Sequence, residues 1–596
     1  MSSSASLRHG MITLTLAVAG LLPVACADQN GTPPPVVTPP PDGGTGLVYL
    51  DQGPNWTSAT RDAFYAGPQG SEVMPLSWIQ ALKQANGAPF LADNLGRYGY
   101  LPNPAGPAAL PVGFTAAGDR GKEQFGMTCA ACHTRQIDVA GRPYRIDGGP
   151  GIVDFQPFLT DLDQSVNHVL TDPAAFKEFA QAVLGTPVKP ADEAKLKQAV
   201  QAWFLRFDTL VKRALPSPAW GPSRLDAVGM IFDRLTGLDL GKPPSYLIAA
   251  NIQKADAPVR YPFLWNAPIQ DKTQWPGFAD NGNDILGLAR NLGEVYGVFA
   301  TFHPKKSRWH ILLGVDYTSD NSADFAGLSA LEDLIKKLGP PKWPWKLDAA
   351  LAAQGKAIYE RSADQGGCVS CHAVPPNVPA GVTRFFNQKT WATPIQDVGT
   401  DTREYQILAW NAESGVLNGA KIPFGTPVKP VDKSFNILGL SVIGSILQHY
   451  VPLGAKEQTA QAQGAQATLA VTPEEADLKG AFRLPNSAAA SAPVNAYESR
   501  VLQGIWAAAP YLHNGSVPTL AELLKPPAER VTSFKLGPAY DIDQVGLAAL
   551  QTKFDYTLTT TGCENRSSGS SHCGHDFGTL LPAADKRALL EYLKSL

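Results

Sequence analysis

The sequence predicts a mainly α fold, divided into two similar units that carry long, loop-rich insertions. The pattern C-x-x-C-H occurs at residues 129–133 and again at 368–372, and a Gly-Lys-x-x-aromatic run precedes each copy. Apolar residues recur at helical spacing in 328–338 and 585–596, which predicts a closing helix for each unit. The 55 glycines and 51 prolines predict many turns between short elements.

The two Gly-Lys-x-x-aromatic runs, 121–125 and 355–359, indicate short helices that lead into each C-x-x-C-H loop. The run Gly339-Pro340-Pro341 stops the first closing helix, because proline cannot continue a helix. We therefore expect one domain over residues 47–340 and a second over residues 341–596.

The composition is that of a packed globular protein, with 44% apolar and 17% charged residues. The net charge is −3, from 50 basic and 53 acidic residues. Because there is no basic excess, the sequence gives no reason to expect a nucleic-acid partner.

The N-terminus predicts export. An apolar run over 11–25 follows Arg8 and is shorter than the roughly 20 residues that span a bilayer, which is typical of a signal peptide. We expect a signal peptide over 1–27 and a Pro/Gly-rich linker over 28–46. Two kinds of processing fit the residues at the end of the signal peptide, which are simple cleavage and lipid anchoring at Cys26. The expected location is therefore periplasmic or secreted, with membrane attachment only through such an anchor.

The C-x-x-C-H pattern is the attachment signal of c-type haem. Two thiols on one helical turn reach the two vinyl groups of a porphyrin, and the following His binds the iron as proximal ligand. Zinc knuckles would need further Cys or His pairs at finger spacing, and a thiol redox motif would need a βαβ context. The sequence therefore predicts two covalently bound haems, held by Cys129, Cys132, His133, Cys368, Cys371 and His372.

The second haem has no methionine available within its own domain, since none of the five methionines follows Met230. Its iron therefore has either a second His or an open position. We expect His575, in a Gly-His-Asp-Phe-Gly run before the last helix, and His513 is the alternative. No motif singles out a sixth ligand for the first haem, whose iron we expect to be open to oxygen or peroxide.

Two cysteines lie outside these motifs. Cys563 and Cys573 bracket a loop rich in Ser and Gly, and in an oxidising compartment we expect a disulfide between them. A metal site that uses His572 and His575 is the alternative.

The run A-A-P-Y-L-H-N-G-S-V-P-T-L at 508–520 resembles the signature of bacterial di-haem cytochrome c peroxidases. The chain is longer than those enzymes and lacks their late Met. It resembles more closely the larger branch that contains the di-haem rubber oxygenases and the di-haem fatty-acid dioxygenases. The further segments that carry this resemblance are 260–266, 274–275, 290–295, 341–344 and 574–578.

The resemblance implies a reaction centre at the first haem, with His133 proximal, and an electron-transfer haem with two axial ligands, His372 and His575. It implies that Trp275 passes electrons between the haems and that 260–300 lines the distal pocket, although core packing would explain the same large residues.

Three charged residues are further candidates. Glu294 is a candidate distal acid–base group or an ordinary helix-surface residue. Arg145 and Arg290 are candidates for binding the haem propionates, with surface salt bridges as the alternative.

Three functions follow from these expectations. The first is an oxygenase that adds O2 to an unsaturated apolar substrate at the first haem. The second is a peroxidase that reduces hydrogen peroxide with electrons from a small redox carrier protein. The third is a non-catalytic electron-transfer cytochrome. The length of the chain favours an enzyme, since two haem cores leave several hundred residues for a substrate pocket or a docking face.

Overall fold

The fold is built from short elements joined by long loops, as its glycine and proline content predicts. The computed structural model describes residues 46–103, 106, 110–307, 313–373, 382–383, 389–421, 426–450 and 494–596. The predicted signal peptide with Cys26, and all of the predicted linker except Gly46, lie outside the described residues. The described residues form one compact unit.

The expectation of a mainly α fold is wrong. Alongside fourteen α-helices, the described residues contain 22 short strands in ten small sheets. The first Gly-Lys-x-x-aromatic run accounts for part of the error, because its last two residues, Gln124 and Phe125, begin the strand Gln124–Met127, which pairs with Phe114–Ala117. The second run behaves as predicted and ends the helix Ala349–Tyr359.

The α-helices are α1 (Ser58–Ala66), α2 (Leu76–Ala81), α3 (Phe155–Thr171), α4 (Pro173–Leu184), α5 (Pro190–Ala214), α6 (Ala227–Phe232), α7 (Asp284–Gly297), α8 (Phe325–Ile335), α9 (Ala349–Tyr359), α10 (Val369–His372), α11 (Arg403–Ile407), α12 (Ser434–Tyr450), α13 (Leu520–Leu523) and α14 (Ala583–Ser595). The predicted closing helices correspond to α8 and α14.

The strands are β1 (Val48–Tyr49), β2 (Met74–Pro75), β3 (Phe114–Ala117), β4 (Gln124–Met127), β5 (Thr134–Val139), β6 (Arg142–Asp147), β7 (Arg224–Leu225), β8 (Val259–Arg260), β9 (Lys272–Thr273), β10 (Ala279–Asp280), β11 (Lys305–Lys306), β12 (Val315–Asp316), β13 (Val382–Thr383), β14 (Lys389–Thr390), β15 (Ile395–Gln396), β16 (Asn411–Glu413), β17 (Val431–Lys433), β18 (Tyr497–Glu498), β19 (Ser533–Lys535), β20 (Tyr540–Asp541), β21 (Gly546–Leu547) and β22 (Thr557–Thr559).

Two three-stranded sheets flank the first C-x-x-C-H motif. Strand β4 lies between β2 and β3 and ends two residues before Cys129. Strand β5 begins directly after His133 and pairs antiparallel with β6, which in turn pairs parallel with β1. Backbone hydrogen bonds on both sides of the motif therefore fix where its side chains point.

Helices α9 and α14 pack closely against each other beside the second motif. A Cβ at Gly355 would lie only 1.9 Å from the carbonyl oxygen of Ala588, so the approach of these helices requires a glycine there. The rings of Tyr359 and Tyr592 meet edge to face at 5.2 Å. The glycine of the predicted run is thus explained by helix packing.

The hydrophobic core is continuous across the expected domain boundary. One buried cluster contains Leu50 and Trp265 from the first half together with Trp506 and Leu589 from the second. Among the described residues, no helix is both long enough and apolar enough to cross a bilayer. The division at residue 340 stays a prediction.

Candidate haem-binding site

The first C-x-x-C-H motif is a single tight turn. Cys129–Ala131 form a 3-10 turn whose cap, Thr128, accepts a hydrogen bond from the amide of Ala130 at 3.3 Å. Both thiols are free, and burial raises the pKa of each to about 12. Two reduced sulfurs held side by side are what covalent attachment of a porphyrin requires.

His133 is oriented by its backbone surroundings. Its Nδ1–H donates to the carbonyl oxygen of Pro262 at 2.8 Å, which leaves Nε2 as the ligating nitrogen. Burial lowers the pKa of His133 to about 4, so the ring is neutral, which is the form that binds a metal.

A cavity of about 160 Å³, here called the first cavity, is lined by Cys129, Cys132 and His133. Among the described residues that line it, His133 is the only His and Met127 the only Met. Met127 lies two residues before Cys129, too close along the chain to reach the opposite face of the same macrocycle.

The second motif has the same design. Cys368 precedes the single turn α10, and the amide of His372 donates to the carbonyl of Cys368 at 3.0 Å. Its two cysteines are also free. The Nδ1–H of His372 donates to the carbonyl oxygen of Arg500 at 2.8 Å. Each proximal histidine is therefore held by a backbone carbonyl far along the chain.

A cavity of about 170 Å³, here called the second cavity, is lined by Cys368, Cys371, His372 and His575. The rings of His372 and His575 have centroids 6.1 Å apart. An imidazole nitrogen binds a first-row transition metal at about 2.0–2.1 Å, and the ring centroid lies roughly 1.1 Å beyond it, so two axial rings on one metal have centroids about 6.2 Å apart. The observed spacing therefore fits a six-coordinate iron between these two rings.

His513 lines the same cavity, but its ring stacks on Tyr497 at 3.9 Å. The ring of His575 instead meets Phe577 edge to face at 5.6 Å, and its buried Nδ1 makes no hydrogen bond in the described structure. Burial lowers the pKa of His575 to about 3, which keeps the ring neutral. This geometry favours His575 over His513 as second axial ligand.

Glu294 and Arg290 both line the first cavity and project from α7. Glu294 accepts a hydrogen bond from the side-chain amide of Gln274, and burial raises the pKa of Glu294 to about 7. Arg290 pairs with Glu332 and donates to Asn281 at 2.7 Å, so its charge is already compensated. Glu294 is thus a half-buried carboxyl group in the wall of the first cavity rather than a residue of the outer helix surface.

Trp275 lies in the wall of the second cavity, one residue after Gln274 in the wall of the first. Its ring carries two guanidinium groups, with the central carbons of Arg260 and Arg500 at 4.6 and 4.7 Å from the ring centroid. The structure thus brings the predicted tryptophan to the boundary between the two cavities.

Arg145 lies apart from both cavities. It is buried in β6, where it donates to the side chain of Gln136 at 2.9 Å and lies near the ring of Tyr49. It belongs neither to the lining of a haem cavity nor to a surface salt bridge among the described residues.

The expected disulfide between Cys563 and Cys573 is confirmed. His572, offered as a partner in an alternative metal site, instead has its Nδ1 at 2.7 Å from the hydroxyl of Thr560. Within the described ranges, no group of three or more His, Cys, Asp or Glu side chains is arranged to hold a bare metal ion.

Sequence reasoning missed three polar residues of the site, Gln274, Arg260 and Arg500. Gln274 and Arg260 stand in segments that carry the family resemblance, where the neighbouring aromatic residues drew attention instead. Arg500 precedes the recognised signature at 508–520 and has no local motif. Only its position beside Trp275 in the fold identifies it.

Free paired thiols, an oriented histidine at each motif and a cavity beside each define this protein as a c-type cytochrome. Residues 496–535 match the family described as RoxA-like, cytochrome c-like. The chain is 30% identical over 610 residues to the uncharacterized protein y4iJ of Sinorhizobium fredii (strain NBRC 101917 / NGR234), which covers 92% of this chain and 93% of y4iJ. It is 23% identical over 415 residues to the uncharacterized protein y4iM of the same strain, covering 66% and 75%. The chain belongs to the family of y4iJ.

The match supports haem c binding and a RoxA-like di-haem cytochrome family with oxidoreductase chemistry. The matched segment contains His513 and Arg500 but neither C-x-x-C-H motif.

Proposed function

We propose that this protein is an exported di-haem c-type cytochrome that uses O2 at its first haem to oxygenate an unsaturated apolar substrate. One observation carries the proposal. An apolar cavity of about 140 Å³ adjoins the first cavity and shares Thr273, Gln274, Arg290 and Glu294 with it. A site for an apolar molecule therefore lies next to the expected reaction centre.

This space, here called the α7–α12 cavity, lies between those two helices. Its walls are mostly apolar, and the half-buried rings of Phe278 and Phe435 meet edge to face at 4.9 Å on its border. Small residues, Gly293 on α7 and Gly439 on α12, leave the space open. Apolar walls bind apolar ligands by removing their surface from water.

The chain's own residues would hold each haem in a defined way. Cys129 and Cys132 would bind the first haem covalently and His133 would ligate it, with Pro262 fixing the ring. The haem would supply the oxygen chemistry, while the protein positions the substrate and excludes water. His372 and His575 would both ligate the second haem, which suits electron transfer. Trp275 connects the two sites.

Peroxide reduction is a second candidate, favoured by Glu294 and Gln274. A carboxyl group with a pKa of about 7 can accept and return a proton near neutral pH, which cleavage of an O–O bond requires. In that case a small redox carrier protein would supply electrons through the second haem. A pure electron relay needs neither the α7–α12 cavity nor this carboxyl group.

Location and domain roles complete the proposal. The expected signal peptide supports a periplasmic or secreted protein, with lipid anchoring at Cys26 as one form of export. Residues 47–340 would form the active-haem domain and residues 341–596 the electron-transfer domain.

Oxygen uptake by the purified holoprotein tests the proposal. We expect uptake with squalene or methyl oleate and none with the saturated controls squalane and methyl stearate. With ¹⁸O2, mass spectrometry should find the label in the product. Absence of uptake with both unsaturated compounds, together with rapid peroxide-dependent oxidation of a reduced small cytochrome, would reject the oxygenase in favour of the peroxidase.

A further inference from the structure

Arg260 occupies an unusual place, because it lines both the first and the second cavity. Arg500 lines the first cavity only. The ring of Trp275 contacts the guanidinium groups of both arginines. Arg260 and Arg500 are therefore two cations at the boundary between the two haem sites.

The same backbone segments hold the two proximal histidines. Arg260 lies two residues before Pro262, whose carbonyl accepts the hydrogen bond of His133. The carbonyl of Arg500 itself accepts the hydrogen bond of His372. The guanidinium groups are thus fixed relative to both imidazoles by short stretches of chain.

The two cations differ in how far their charge is compensated. In the part of the chain that the structure describes, Arg260 has carbonyl partners, with its Nε donating to Leu512 at 3.1 Å, and no carboxylate partner. Arg500 has the carboxylate of Glu498 at 3.4 Å. Burial lowers the pKa of Arg260 to about 9, which still leaves it charged at neutral pH. Its charge acts in a buried place where water screens little.

We propose that Arg260 is a shared positioning residue that binds the carboxylate groups of both haems and raises the reduction potential of both. Arginine pairs with carboxylates through two parallel hydrogen bonds, which suits the haem propionates. A fixed positive charge favours the reduced haem, because reduction adds a negative charge. Arg500 acts in the same way on the first haem alone. This inference rests on the proposed presence of two haems.

Spectroelectrochemical titration of the holoprotein tests it, with the two haems followed separately by EPR. Arg260→Gln should lower both midpoint potentials, with the reduction equilibrium constant of each haem falling at least tenfold. Arg260→Lys, which keeps the charge, should restore most of that loss. Arg500→Gln should lower the potential of the first haem only.

Arg145 provides the matched control, since it is equally buried but lines neither cavity. Arg145→Gln should leave both potentials unchanged. A shift in only one potential with Arg260→Gln, or in neither, would overturn the inference. If Arg260→Gln does not fold, two other results would overturn the inference. One is an Arg260→Lys protein whose two haem potentials fall by unequal amounts. The other is an Arg500→Gln protein in which the potential of the first haem is unchanged.

Haem is counted first by the pyridine haemochrome assay. One haem per chain would refute the proposed di-haem function, whereas two haems with unaltered potentials would refute only the role of Arg260.

Discussion

Filling the α7–α12 cavity should block the apolar substrate without touching the haem. Gly293 lies in the cavity wall, and a Cβ added there would meet only Val442, at 3.9 Å, which is ordinary van der Waals contact. Gly293→Leu therefore places a branched side chain into the cavity without a backbone clash.

The expected magnitudes follow from elementary terms. Replacing a helical glycine by alanine stabilises a protein by about 0.5–1 kcal/mol. The further carbons of leucine contribute up to ~0.8 kcal/mol each when they fill apolar space, so unfolding of the Gly293→Leu protein should require ~2–3 kcal/mol more free energy. A substrate that can no longer bury two of its methylene groups in the cavity loses about 1.6 kcal/mol of binding free energy. Turnover should therefore fall more than ~tenfold.

The assay compares oxygen uptake with squalene in wild type, Gly293→Ala, Gly293→Leu and the double variant Gly293→Leu/Val442→Ala. Oxygen uptake should fall as the side chain at position 293 becomes larger, from Gly to Ala to Leu. Shortening Val442 to Ala on the opposite wall should restore part of the uptake that Gly293→Leu loses. Haem spectra should be unchanged throughout. Full activity in a stable Gly293→Leu protein would refute the assignment of this cavity to the substrate.

Three further predictions concern other parts of the molecule. The pKa of Glu294 is raised to about 7 from an ordinary 4.5, so the folded state binds this proton more tightly than the unfolded state. The contribution of Glu294 to stability should therefore fall by about 3 kcal/mol between pH 4.5 and pH 8, and urea titrations should find this part of the pH dependence missing from Glu294→Gln. His575→Ala should convert the second haem from low spin to high spin in the visible spectrum, whereas His513→Ala should not. Cys563→Ser/Cys573→Ser should lower the free energy of unfolding by about 2–3 kcal/mol, because the disulfide closes a short loop with a separation of 10 residues, and an unchanged urea midpoint would contradict this.

The sequence predicts best where the chemistry is local. The two C-x-x-C-H motifs carry their own geometry, and Ala583–Ser595 follows from helical periodicity alone. The run 121–125 predicts a helix, but five residues are too few to show a reliable hydrophobic period. The strand Gln124–Met127 forms because it pairs with Phe114–Ala117, and this pairing depends on tertiary structure.

Contacts between distant segments set the rest of the site. Arg260 and Arg500 both contact the ring of Trp275 although they are 240 residues apart in the sequence. No pattern along the chain predicts these two contacts. Arg145 shows the opposite case. It lies near a haem motif in the sequence, which makes it a candidate for binding the propionates, but the strand that carries it points its side chain into the core.

Neighbouring residues on α7 separate the two candidate functions. Gly293 faces the apolar space and Glu294 borders the first cavity, so one helix turn serves both an apolar pocket and a proton-transfer group. If the protein is an oxygenase, Gly293→Leu should abolish oxygen uptake while peroxide reactivity persists. If it is a peroxidase, Glu294→Gln should slow the reaction with peroxide at least ~tenfold and Gly293→Leu should not, since general acid–base groups typically contribute ~10²–10⁴-fold. Equal loss in both assays from both variants would mean that the two cavities act as one site.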